Sequence, residues 1–255
     1  MPVYEHDRNR PDLIEARASQ KDPLVMYLVA RKAHRASLEE FLVASVLATL
    51  DASLRLGGDA RYSAAFAEWA ARSFRKVCLR ANEKEWPRVC ELDSGVGEVG
   101  GEVVVRTLPP RKKSEREKLL VQLQAYTAEP SELASRPVAN VGDAPVMVFV
   151  VNGAVPMRAG KLAAQVCHAA LLAVGAFSRC ESDRELLSGW YAEGARMVVR
   201  RAEGDAWEGL KHHERCALVR DAGITEVAKG SETVLALCPC APSKWTERVR
   251  ALAPV

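Results

Sequence analysis

The chain has 255 residues, with Lys+Arg 36 against Asp+Glu 33, a formal net charge of +3 and 48% hydrophobic residues. That apolar content excludes wholesale disorder, and so small a charge excess neither announces a nucleic-acid binder nor excludes one with a local basic patch. The longest uncharged apolar run is about ten residues, Phe41 to Leu50. A membrane span needs about 20, so no membrane partner is expected.

Seven cysteines, at positions 78, 90, 167, 180, 216, 238 and 240, are odd in number and irregularly spaced, which points to free thiols in a reducing compartment. Cys238-Pro-Cys240, even with His212 and His213 nearby, lacks paired-ligand spacing, so no metal is expected. The first 21 residues mix Glu5, Asp7, Asp12 and Glu15 with arginines. Mitochondrial presequences avoid acids. The segment reads as a polar tail on a cytoplasmic protein, with a mitochondrial setting as the second option.

From residue 22 onward the chain echoes itself. Pro23-Leu-Val-Met-Tyr-Leu-Val29 returns as Pro145-Val-Met-Val-Phe-Val-Val151, at an offset of 122. The stretch from Trp69 to Ala81 returns from Trp190 to Ala202, and Trp86 returns as Trp207, both at 121. Leu92–Val99 resembles Arg220–Val227 at 128, and Glu102–Pro109 resembles Glu232–Pro239 at 130. Collinear matches in this number indicate two copies of one small domain, over 22–124 and 145–255. Arg111–Lys118 is a mixed charge run, read as a solvated helix face. Residues 125–144, rich in proline and small polar residues, read as a linker.

In the second copy, Val146–Val151 is a continuous β-favouring run, as in a strand buried on both faces. A loop over 157–160 precedes a helix from Lys161 to about Ala176. Further helices are predicted over 186–192 and 205–216. Strands are predicted over 196–201, from Leu218 to Arg220, over 224–227 and over 233–238, and a last helix from Pro242 to about Leu252. The class is α/β: two tandem copies of a small mixed four-stranded sheet flanked by helices.

The helix beginning at Lys161 is apolar at almost every position except Lys161, Gln165 and His168. Those three stand at i, i+4 and i+7 and share one face. A polar stripe on a buried helix is costly unless it is paired or lines a cleft. Cys167 and His168 are adjacent, about 100° apart, and cannot form a thiol–imidazole dyad. Asp221-Ala-Gly223 alone reads as a turn.

Gly160-Lys161-Leu-Ala-Ala-Gln165-Val-Cys-His168-Ala resembles the G-K-x-A-A-Q-x-x-H-A motif of the type II, archaeal and eukaryotic, peptidyl-tRNA hydrolases. Arg220-Asp221-Ala-Gly223-Ile-Thr225, followed by Gly230-Ser231-Glu-Thr233, resembles the same family's second signature. The resemblance covers about residues 145–252. It implies hydrolysis of the ester joining a peptide to the terminal ribose of tRNA, with peptidyl-tRNA as partner and no cofactor. By position it makes Lys161, Asp221 and Thr225 catalytic, and sets Gly160, Gln165, His168, Arg220, Gly223 and Ser231 at the substrate. Lysine at a helix start suits a developing oxyanion, and aspartate suits a water.

Phosphate contacts are expected from Arg196, Arg200, Arg201, Lys211, Arg215 and Arg220, or else these form an ordinary charged surface. After the first strand the family has a polar pair, often with an acid; here Asn152-Gly153-Ala154 stands instead. The first copy reads as catalytically dead, with Leu38, Leu42 and Ser45 opposite lysine, glutamine and histidine, Asp93 opposite the aspartate, and Gly97 opposite the threonine. Family members commonly dimerise, so the copies are expected to form an intramolecular pseudo-dimer. The alternatives are a non-catalytic adaptor binding tRNA or protein on the same fold, and a hydrolase of another small ester or amide.

Overall fold

The computed structural model describes residues 20–136, 142–213 and 215–255. The expected tail lies outside the described residues, save Gln20 and Lys21. Eleven strands are described: β1 (Leu24–Arg31), β2 (Arg75–Ala81), β3 (Gly95–Val99), β4 (Glu102–Thr107), β5 (Arg111–Lys112), β6 (Gln124–Ala125), β7 (Val146–Asn152), β8 (Met197–Ala202), β9 (Cys216–Arg220), β10 (Glu232–Cys240) and β11 (Ala253–Pro254). The α-helices are α1 (Leu38–Asp51), α2 (Ser63–Glu68), α3 (Trp86–Cys90), α4 (Lys118–Gln122), α5 (Ala159–Phe177), α6 (Glu181–Ala192), α7 (Gly204–Lys211) and α8 (Glu247–Arg250).

The strands form two mixed sheets, ordered β3-β4-β1-β2-β6, with β5 beside β1, and β11-β8-β7-β10-β9. In each, a first strand runs parallel to a second and antiparallel to a fourth, which pairs with the third. The short strands β5, β6 and β11 extend this four-stranded unit to six and five strands.

Local geometry repeats at an offset of 121 residues. The Trp69 indole donates to the Arg75 carbonyl at 2.8 Å, and the Trp190 indole to Arg196 at 2.8 Å. Phe74 and Ala195 both take positive φ, 49° and 48°. Helices α1 and α5 start at Leu38 and Ala159, again 121 apart. The spacing holds through β3 and β9, then widens to 130 between Glu102 and Glu232, the first residues of β4 and β10.

This register corrects the sequence alignment of the halves. Val25, not Leu24, stands opposite Val146, and in a strand a one-residue slip reverses every side chain. Glu40, Ala44 and Leu47 stand opposite Lys161, Gln165 and His168. Asp93 precedes β3, at the wrong end of the strand, where Arg61 and the Tyr62 hydroxyl bind its carboxylate at 2.9 and 2.6 Å. The place of Asp221 falls on Gly100, in a Gly100-Gly101 turn with φ +58° and +83°. Gly95 and Gly97 admit the helix backbone directly: a Cβ at either would lie 2.0 Å from the Ala48 or Ala44 carbonyl oxygen.

Three predicted elements also change. The strand over 224–227 is instead part of an open loop, because Asp221 and Ser231 bond across its base (Asp221 N to Ser231 O, 2.9 Å), leaving Ile224 46% exposed. The helix over 205–216 stops at Lys211, and Cys216 opens β9. The last helix is split into a 3-10 turn, Pro242–Lys244, and α8, because the Thr246 hydroxyl caps a new start by accepting from Val249 N at 3.3 Å. Among the described residues α5 is long and apolar enough to cross a membrane, which the search for uncharged runs missed, but 83% of its apolar window is buried within the fold.

Helices α1 and α5 lie between the sheets in one core that includes Met26, Leu28, Phe41, Leu42, Met147, Phe149 and Val166. The outer sheet faces pack under α3 and α4 in the first half and under α7 and α8 in the second. The connection is packed rather than loose over residues 124–136. Tyr126 stacks on Phe41 with ring centres 5.1 Å apart. The Ala128 carbonyl accepts from Ala159 N at 2.9 Å and the Ala134 carbonyl from Leu38 N at 3.1 Å, satisfying amides that helix starts leave open.

Glu39 is 2% exposed and accepts from Val199 N at 2.7 Å and from the Arg200 guanidinium at 2.8 Å, tying α1 to β8. Glu39→Ala strands Arg200 and a strand amide, and removing one member of a buried pair costs about 3–5 kcal/mol. Calorimetry should show a large drop in Tm for this variant; an unchanged Tm would contradict the role given to Glu39.

Candidate active site

Asp221 directly follows β9 and opens the loop over 222–230. Its carboxylate collects three donors. Lys161 Nζ lies 2.5 Å from Oδ2, Gln165 Nε2 donates to the same oxygen at 2.8 Å, and Gly223 N donates to Oδ1 at 2.8 Å. Lys161 and Asp221 are 11% and 7% exposed. The φ of +70° at Gly223 and the Lys229 backbone 2.6 Å from any Cβ there exclude a side chain. Gln165 is in turn fixed by the fully buried Thr233, whose hydroxyl donates to its Oε1 at 2.6 Å. Helix α5, the β9 end and β10 are thus joined through one carboxylate.

Lys161, Gln165 and Asp221 line a cleft of about 560 Å³, whereas Gly223 and Thr233 support it from behind. Thr225 stands exposed on its rim. His168 also lines it, but its Nδ1 is 2.9 Å from Nζ of Lys76, on β2 of the first half. Lys76 is held over the rings of Phe74 and Trp69, at 4.2 and 4.7 Å. Gly160 lines the cleft and lets the chain approach: a Cβ there would lie 2.1 Å from the Tyr126 carbonyl oxygen. Arg220 reaches the cleft while paired with Glu232 at 3.1 Å. Ser231 contributes its carbonyl to Asp221 N rather than a side chain to the cleft.

Of the six expected phosphate contacts, only Arg220 lines the cleft. Arg200 is spent on Glu39, Arg201 on Glu203, Lys211 on Glu208 and Glu232, and Arg215 on Asp183. Asn152 works within the fold, donating to the Glu232 carbonyl at 2.9 Å and accepting from Ala154 N at 3.1 Å. Cys167 is fully buried, and burial pushes its thiol up to about 12, so it stays protonated at neutral pH.

Sequence reasoning missed Thr233 and Lys76. Thr233 sits inside the second signature and could have been found as a polar residue within an apolar strand. Nothing local marks Lys76, since only the packing of the two halves brings it to His168.

The family model for Peptidyl-tRNA hydrolase PTH2 matches residues 145–253. A peptidyl-tRNA hydrolase of Methanopyrus kandleri is 40% identical over 99 residues, covering 36% of this chain and 82% of that protein. The chain belongs to the peptidyl-tRNA hydrolase PTH2 family. A peptidyl-tRNA hydrolase of Thermococcus sibiricus is 37% identical, over 36% of this chain and 81% of that protein. The human mitochondrial peptidyl-tRNA hydrolase 2 is 34% identical, over 36% of this chain and 54% of that protein. Each of these alignments covers about a third of this chain, so the family relationship speaks for the second half.

Thr233→Val leaves the buried Gln165 carbonyl without its donor, a loss of about 1–3 kcal/mol. We expect a lower Tm together with reduced activity for this variant. Unchanged values of both would show that Gln165 needs no anchor.

Proposed function

We propose that the second half hydrolyses the ester bond of peptidyl-tRNA, releasing peptide and free tRNA. Membership in the family supports the reaction, and the Lys161–Asp221–Gln165 constellation at the floor of a cleft carries the assignment of its residues. Asp221 orients the attacking water and takes its proton. Its carboxylate is held by three donors, so it needs little reorganisation at the moment of reaction. An ammonium has three hydrogens, and the Asp221 bond uses one. Lys161 can therefore hold Asp221 and the ester carbonyl oxygen together, countering the negative charge that develops there. It is also the third residue of α5, at the positive end of the helix dipole. Thr225, on the rim, positions the water or the leaving ribose oxygen, and Gln165 and His168 shape the floor.

The first half is a second, inactive copy of the same domain in this reading. The common strand order and the indole hydrogen bond repeated at an offset of 121 residues support it, and the two form a pseudo-dimer within one chain. Seven free thiols support a reducing compartment.

Release of peptide from N-blocked aminoacyl-tRNA should fall by about two to four decades in both Lys161→Ala and Asp221→Ala. Wild-type levels in either variant would remove that residue from the chemistry. An inactive wild type that still binds tRNA would support the adaptor reading instead.

A further inference from the structure

The charge of the cleft departs from that of the chain. The whole sequence is nearly balanced, with 36 cations to 33 acids. Around the cleft stand seven lysines and arginines against two carboxylates, Asp221 and Glu226. Four of the seven, Arg75, Lys76, Lys113 and Arg116, belong to the first half, which supplies no acid to the lining.

These side chains are placed by the fold. Arg75 and Lys76 open β2, the strand of the first sheet that packs against α5 of the second half. Lys113 and Arg116 lie just after β5, where the Lys113 amide donates to the Pro23 carbonyl at 3.2 Å and the Arg116 guanidinium to the Lys113 carbonyl at 2.9 Å. Their neighbours are internally neutralised, Arg111 by Glu117 and Lys112 by Glu115. Lys113 and Arg116 themselves enter no ion pair among the described residues, whereas Arg200, Arg201, Arg215 and Arg220 of the second half are spent on carboxylates. A concave surface with net positive charge beside an ester-hydrolysing centre is complementary to a polyanion.

We propose that the first half is the RNA-binding wall of the active site, with Lys113 and Arg116 at the rim and Lys76 at the floor holding phosphates of the acceptor end of tRNA. The inference rests on the hydrolase reading of the second half. In the proposed arrangement, the half that lost its own chemistry positions the substrate for the half that kept it. Lys76 marks the innermost contact, on β2 beside His168, which shares a face of α5 with Lys161. The wall reads charge and not sequence, since point cations on phosphates carry no base information.

The test is the double variant Lys113→Gln with Arg116→Gln, the first exposed and the second half-buried, alongside Lys76→Met and a remote control, Lys84→Gln. Each is assayed on N-blocked aminoacyl-tRNA and on N-blocked aminoacyl-adenosine, which has no phosphate. Binding of deacylated tRNA is measured separately by anisotropy across a salt series. For the double variant we expect KM on the tRNA substrate to rise about tenfold with kcat within about twofold. The salt slope of tRNA binding should flatten by about 1.4, at about 0.7 per phosphate contact to a single strand. Hydrolysis of aminoacyl-adenosine should match wild type, and Lys84→Gln should match it throughout. Lys76→Met should raise KM on tRNA as well. Unchanged tRNA affinity and salt slope in the double variant, or equal losses on both substrates, would overturn the wall. A wild type that cleaves neither substrate but loses tRNA affinity in the double variant would refute the hydrolase reading and leave the wall standing.

Discussion

Both oxygens of Asp221 are tied down, and the rest of the site follows from that. Oδ2 is shared by Lys161 and Gln165 of one helix, and Oδ1 holds the amide of Gly223 in its own loop. Burial makes the arrangement cooperative: removing any donor leaves a desolvated carboxylate short of a partner, which costs more than the bond itself contributes. The same constraint explains Thr233, whose only service to the site is to turn Gln165 toward Asp221, and Gly223, which needs a left-handed backbone to bring its amide round.

The two halves share a strand order and differ where that carboxylate stands. The first half turns from β3 to β4 through Gly100-Gly101 and has no counterpart of the loop that carries Asp221 and Thr225. Gly95 and Gly97 then let α1 settle directly on the strand. One turn earlier in the helices the asymmetry runs the other way. Gly160 lets the connecting chain at Tyr126 approach α5, whereas its counterpart, Glu39, reaches across to β8 and Arg200. The first half ties α1 to β8, and the second carries the carboxylate of the cleft that both halves line.

Much of this was legible in the sequence because period and punctuation are local. The apolar runs of β1 and β7, the alanine-rich helix and the polar stripe at positions 161, 165 and 168 needed no tertiary information. The likeness of the halves, which the common strand order supports, was visible too, but its register was not. Prolines 23 and 145 suggested an alignment one residue out, and the extra loop residues between β9 and β10 drew Asp93 into a false equivalence with Asp221. Loop length is weakly coded, since lengthening a loop changes closure entropy only slowly. The basic residues were misplaced for a different reason. Whether a surface arginine faces a carboxylate or a cleft depends on neighbours far away in sequence, as Arg200 on Glu39 shows.

The account makes one site from two halves, and a crystal structure with an unreactive acceptor-end analogue would test it most directly. The ligand would be an amide-linked peptidyl-tRNA minihelix. The account predicts the amide carbonyl oxygen against Lys161, the carbonyl carbon facing Asp221, and backbone phosphates against Lys113 and Arg116 of the first half. A minihelix lying along the face that carries Arg201 and Arg215, with its phosphates away from the first half, would contradict it.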